Sequence, residues 1–240
     1  MWTREELKRN AKEILRVSYW PAFAASLVLG IANGATAGSR LNLNIDWEDL
    51  FYGDLSVLLP ILVGGLSISF VISVAFSAFL LQPLEVGSRR FYLEGTQLRF
   101  NLGELGYSFS AGRYKNIVLT MFVRKLLIAL ASLLLVVPGI ILSYSYAMVP
   151  YILSENPLIP YDRALRLSRD MTRGHKLDMW VLDLSFIGWL LLGSLACGMG
   201  VLFVNPYVHA THAQLYLVLR TAALDSGLTS LEELAPPATN

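Results

Sequence analysis

His209 and His212 stand three residues apart in VHATH, a spacing that sets two imidazoles on one face of a helix, where they could share a metal ion. No third ligand follows at a metal spacing, so polar packing inside a helix bundle is the competing reading, and no metal is expected. His175, between Gly174 and Lys176 in TRGHKLDMW, has the types of a general base and a cation side by side. Its setting at the start of an apolar run reads better as a membrane interface. Arg124, Lys125 and Asp183 are stranger still, because TMFVRKLLIAL and LDLSFIGW place full charges inside apolar runs. The chain holds no HExxH, no GxSxG and no phosphate-cradling glycine loop, and its single cysteine, Cys197, matches no metal spacing. No catalytic residue and no cofactor are expected.

The elements that must position these residues are membrane spans. The 240 residues are 55% hydrophobic and 15% charged, against about 45–50% and about 25% in ordinary soluble domains. A net charge of +1 gives no bulk basic field for nucleic acid. The first apolar run begins only near Trp20, after a long charged segment, so the N-terminus does not read as a signal peptide. A spanning helix needs roughly 20 apolar residues. Candidates cover 19–37, 56–83, 117–153 and 177–219, the last two broken by Pro138-Gly139 and by GSLACGMG. Each break could be a kink or a turn.

Basic residues decide between these, since short cytoplasmic loops collect lysine and arginine. With both breaks read as turns there are six spans, and the short ones cover 139–153 and 201–219. Arg4 to Arg16, Arg89 to Lys115, and Arg163 to Lys176 then share one face with Arg220. Only Arg40 falls in an outer loop, beside Asp46, Glu48, Asp49 and Asp54, while Arg124 and Lys125 lie inside a span. The expected fold is all-α: a polytopic bundle of six transmembrane helices in three hairpins, with interfacial amphipathic helices and both termini cytoplasmic.

Basic amphipathic segments precede the hairpins. Thr3-Arg4-Glu5-Glu6 is a capping box, and Leu7, Ala11, Ile14, Leu15 and Tyr19 recur on one helical face. Ala164, Leu167 and Met171 make a second stripe, with Gly174 as its C-cap. The middle segment, LRFNLGELGYSFSAGRYKN, is less regular. Three diverged copies of an interfacial helix plus a hairpin are one reading; solvated linkers are the other. The domains run 1–18 (interfacial helix), 19–223 (six spans) and 224–240 (polar tail).

Depth can be counted from the breaks. Lys125 precedes Pro138 by thirteen residues, Asp183 precedes Leu195 by twelve, and His212 follows Gly200 by twelve. At 1.5 Å per residue all three sit roughly 18–20 Å down, within one layer of a core about 30 Å thick. Ionised groups there pair or face a polar cavity. Arg124, Lys125, Asp183 and His212 thus form the expected intramembrane polar cluster, with Asp183 facing Arg124 or Lys125. The alternative is that each snorkels separately to the cytoplasmic interface. Arg163, Arg166, Arg169, Arg173 and Lys176 are the expected lipid headgroup contacts. Asn205-Pro206-Tyr207 is open between a kink with aromatic packing and a ligand site.

SYAMVPYILSENP, ALRLSRDMTRGHK, LDLSFIGWLLLGSLACGMG and NPYVHATHAQLY, with TREELKRNAKEIL and VVPGII, together resemble the bacterial domain-of-unknown-function family nine-seven-five. More distantly the chain is similar to the membrane region attached to some bacterial glycerophosphodiester phosphodiesterases. The resemblance implies a multi-pass protein of the bacterial cytoplasmic membrane and carries no catalytic residue over to any position.

The function expected is non-enzymatic: binding lipid or a membrane-active compound, or supporting a partner protein. A small transporter or channel with a polar intramembrane site is the alternative, since broken spans and intramembrane polar residues suit one. The expected partners are membrane lipids, anionic on the cytoplasmic face. A protein partner or a homo-oligomer stays open, and nucleic acid is not expected.

Overall fold

The computed structural model describes residues 2–34, 55–97, 99, 101–195 and 199–234. The acidic loop 38–54 with Arg40, the lone Cys197 and residues 235–240 lie outside the described residues. Among the described residues every regular element is helical. In order these are α1 (Arg4–Gly34), α2 (Leu55–Phe76), a π-helical turn (Ser77–Leu81), α3 (Gln82–Thr96) and a 3₁₀ segment (Leu102–Phe109). There follow α4 (Ala111–Leu134), α5 (Val136–Ser145), α6 (Val149–Glu155), α7 (Tyr161–Met171), α8 (Lys176–Leu195), α9 (Met199–Asp225) and α10 (Leu231–Leu234).

Three stretches are helices long and apolar enough to cross a membrane: Val63–Thr96, Gly112–Leu134 and Val136–Glu155. A shorter apolar helical stretch covers Tyr19–Gly30. The first long one passes without a break from α2 through the π turn into α3. Pro83 lies just beyond that turn and has no N–H for the carbonyl four residues back, at Phe79. The Tyr114 hydroxyl donates to that carbonyl at 2.6 Å. A tyrosine of α4 thus supplies the bond that the proline withholds.

The chain doubles back twice at small residues. Leu135 alone is extended (φ −156°, ψ 140°) between α4 and α5. A Cβ on Gly139 would collide with Ser132, seven residues earlier and 2.8 Å from its Cα. In one continuous helix those positions would stand about 10 Å apart, so Pro138 is no mere kink. It occupies the first turn of α5, where a missing N–H costs least. Gly193 and Gly200 repeat the arrangement between α8 and α9, and a Cβ on Gly193 would sit 2.7 Å from the Gly200 carbonyl carbon.

α1 runs unbroken from Arg4 through Pro21 to Gly34, so the amphipathic segment 1–18 and the first apolar run share one helix. Its start is capped as expected, the Thr3 hydroxyl accepting from the Glu6 amide at 3.3 Å. Leu7, Ala11 and Leu15 are buried in the protein core, where α1 packs along α9 and α3. Lys8 stands 4.3 Å from the centre of the Phe186 ring. At the other end, the described part of the 224–240 polar tail docks on the bundle. Ser230 caps α10 by accepting from the Glu233 amide at 3.2 Å, Asn156 donates to the Glu233 carbonyl at 2.7 Å, and Leu234 is buried. The sequence 230–233, Ser-Leu-Glu-Glu, is itself a capping box that composition alone hides.

Candidate functional site

Two polar clusters lie among the apolar helices. The first is built on α3, where Glu85 and Arg89 are one turn apart. Glu85 stands 3.8 Å from Arg89 and 3.7 Å from Arg124 of α4, and the three side chains are only 9%, 16% and 15% exposed. Arg89 also donates to the Tyr151 hydroxyl of α6 at 3.2 Å and contacts Nδ1 of His209 on α9 at 3.2 Å. A guanidinium only donates, so that imidazole nitrogen must be the acceptor. Tyr151 stacks on Tyr216, whose hydroxyl shares the Glu155 carboxylate with Arg220 at 2.9 Å each. One connected network therefore ties α3, α4, α6 and α9. Two guanidiniums face one carboxylate, leaving it one positive charge in excess, and Nε of both Arg89 and Arg124 has no partner among the described residues.

The second cluster joins α5, α8 and α9. Asp183 meets Nε2 of His212 at 2.8 Å through one oxygen and accepts from the Tyr144 hydroxyl at 2.8 Å through the other. It is more open than the first, with Asp183 36% and His212 20% exposed. Both line a cavity of about 450 Å³ with Tyr144, Ser143, Met179 and Trp180. The group can hold a cation or pass a proton. His212 makes no second hydrogen bond among the described residues.

The expected four-residue cluster is thus divided. Asp183 and His212 come together, but Arg124 faces Glu85 rather than Asp183. Lys125 makes no ion pair or hydrogen bond among the described residues and opens on a groove between α2 and α4. The two histidines, three apart in sequence, take different partners, Arg89 and Asp183. Glu85 went unnoticed in sequence, although a glutamate four residues before an arginine in an apolar helix is a readable pair.

The basic face also divides. Arg163 is held by Glu233 at 2.6 Å and by the Leu228 carbonyl at 2.7 Å. Arg169 donates to the Tyr146 hydroxyl and lies over its ring. Both are engaged by protein, which leaves Arg166 (paired within its helix to Asp162), Arg173 and Lys176 for other contacts. The apolar stripe of α7, including Ala164, Leu167 and Met171, is buried. Ser168, on the same face, donates to the Ser145 carbonyl at 2.8 Å and accepts from the Met148 amide at 3.2 Å. The stripe is spent on protein, not on a bilayer. Gly174 takes a left-handed φ of +84° in the turn after α7.

Fold and site define a class: an all-α chain with membrane-length apolar helices and ionised groups set between them. The chain belongs to the family described as Protein of unknown function (DUF975), which it matches over residues 91–223. No curated protein and no solved structure matches it.

Proposed function

We propose that this chain is a non-enzymatic, lipid-binding protein of the bacterial cytoplasmic membrane. The observation that carries this reading is a groove of about 560 Å³ between α2 and α4, walled by Phe70, Val71, Val74, Ala78 and Phe122, with Tyr114 and Lys115 also lining it. Its volume falls in the range of small-molecule sites, about 300–1,000 Å³. The lining suits an acyl chain with an anionic headgroup near the lysine. Native mass spectrometry after mild-detergent purification tests it. The protein should retain phospholipid, and Val71→Trp, at an exposed position of the groove wall, should remove at least one bound lipid without changing the melting temperature appreciably. A protein that keeps no lipid under these conditions refutes the reading.

Six spans in three hairpins, with both termini cytoplasmic, fit this role. The two reversals at small residues support it, as does the placement of nearly all basic residues on one face. On a Cys197→Ser background, single cysteines in 38–54 should react with an impermeant thiol reagent from outside, and those in 157–176 should not. Outside labelling of 157–176 would sink the six-span arrangement. With 157–176 on the inner side, Arg166, Arg173 and Lys176 contact anionic headgroups of the inner leaflet. A protein partner or a second copy of the chain is compatible with the same surface.

A small transporter is the second reading. The open Asp183–His212–Tyr144 cluster favours it, because ionisable groups beside an intramembrane cavity mark many ion and proton paths. Substrate-driven flux in reconstituted vesicles, lost in Asp183→Asn, would establish it.

A further inference from the structure

A second recess lies across the Phe70, Val74 and Phe122 contacts from the first groove, with a volume of about 500 Å³. Leu126 and Ala129 add apolar wall, and Ser73, Ser77, Gln82 and Lys125 supply its polar atoms. Gln82 is only 3% exposed, yet its Oε1 has no hydrogen-bond partner among the described residues. A buried amide oxygen without a donor is rare in folded proteins. Lys125, lining the same recess, has three donors and no acceptor within reach among the described residues. An occupant bringing an anion for the ammonium and a donor for the amide oxygen would satisfy both.

We propose that this recess binds a phospholipid whose headgroup is both monoanionic and hydroxyl-bearing, a glycerol phosphodiester lipid. The assignment rests on the lipid-binding reading above and names its ligand class. The phosphate pairs with Lys125, a headgroup hydroxyl donates to Gln82, and an acyl chain lies along Phe70, Val74 and Phe122. These walls face outward, with Phe70 70% and Leu126 45% exposed, so the occupant enters from the bilayer. A headgroup ammonium could also donate to Gln82. The neighbouring Arg89–Glu85–Arg124 network and Lys125 together hold a positive excess, which disfavours a headgroup carrying its own cation.

The full-length protein, delipidated in detergent, would be titrated with phosphatidylglycerol, phosphatidylmethanol and phosphatidylcholine of identical chains, with native mass spectrometry counting bound lipid. Phosphatidylmethanol keeps the charge and lacks the hydroxyls. The wild type should prefer phosphatidylglycerol over phosphatidylcholine by roughly five- to tenfold, the scale of one near-membrane charge contact. Lys125→Gln should abolish the preference for anions, and Gln82→Leu should abolish only the preference for phosphatidylglycerol over phosphatidylmethanol. Phe122→Trp, which fills the recess without touching either polar group, should weaken all three and guards against misfolding of the polar variants. Equal binding of the three lipids by the wild type overturns the assignment while leaving lipid binding intact, and so does a preference retained by all variants. Loss of all lipid retention overturns both.

Discussion

The two polar clusters are made of similar residues and differ in enclosure. Glu85 is 9% exposed between two arginines, with helices on every side. Asp183 is 36% exposed beside one histidine, at the wall of a cavity. The first cannot exchange partners without opening the bundle, so its charges serve to hold α3, α4, α6 and α9 in register. The second can meet something that enters. Enclosure, more than residue type, separates an internal tie from a site.

The largest expected effect comes from breaking the enclosed cluster. Glu85→Gln leaves two guanidiniums without a counter-charge, and unfolding in mixed micelles should show a loss of about 3–5 kcal/mol. Removing one ion pair whole, as Glu85→Leu with Arg124→Met, should recover only part of that loss, because Arg89 keeps its buried charge without a carboxylate. Failure to recover would mean that Arg89 alone dictates the need for Glu85. Asp183→Asn keeps the Tyr144 contact and loses only the charge, so the same assay should read roughly 1.5 kcal/mol or less. Accessibility sharpens the contrast further. On the Cys197→Ser background Asp183→Cys should react with a small water-soluble thiol reagent, and Glu85→Cys should not. Equal reactivity would erase the distinction drawn between the clusters.

Much of this was legible in the sequence, and the remainder has a physical reason. Pro138 and the glycine-rich stretch punctuate the chain where it doubles back, and the Thr3 cap and the Ala164–Leu167–Met171 stripe follow from spacing. Counting residues from those breaks puts Asp183 and His212 at one depth, and the structure joins them at 2.8 Å. Depth does not give direction around a helix axis. Arg124 lies within one residue of the layer assigned to Lys125, yet it points to α3, whose register no neighbouring turn in the sequence sets. The α7 stripe likewise shows which side is apolar and not what covers it.

The smallest expected effect lies outside the spans, at the docked C-terminal segment. The hydrogen bonds from Arg163 hold the Glu233 carboxyl below its ordinary value, with Thr229 adding to them. A lowered carboxyl contributes stability at pH above its unfolded value, and that contribution disappears as pH falls through the lowered folded value. Hydrogen-exchange protection at Leu228 and Leu234, taken relative to the intrinsic rate, should therefore hold down to pH about 4.3, the usual glutamate range, and fall below it. In Arg163→Gln protection should already be lower at neutral pH and the acid step should flatten, because the folded carboxyl is no longer held down. Identical profiles would show that the Asn156 and Ser230 contacts hold the segment without the ion pair.

The π-helical turn at Ser77–Leu81 makes chain length a constraint in its own right. Such a turn equals one residue inserted into an α-helix, and each residue advances the helical phase by about 100°. The turn absorbs its extra residue within its own ladder, so deleting one residue of Ser77–Leu81 would let it close as an α-helical turn with Gln82 and Glu85 kept in phase with α2. An extra residue between Leu81 and Gln82 has no such outlet: Gln82 would swing out of the recess and Glu85 away from Arg124 in the same motion, where most single substitutions reach only one of them.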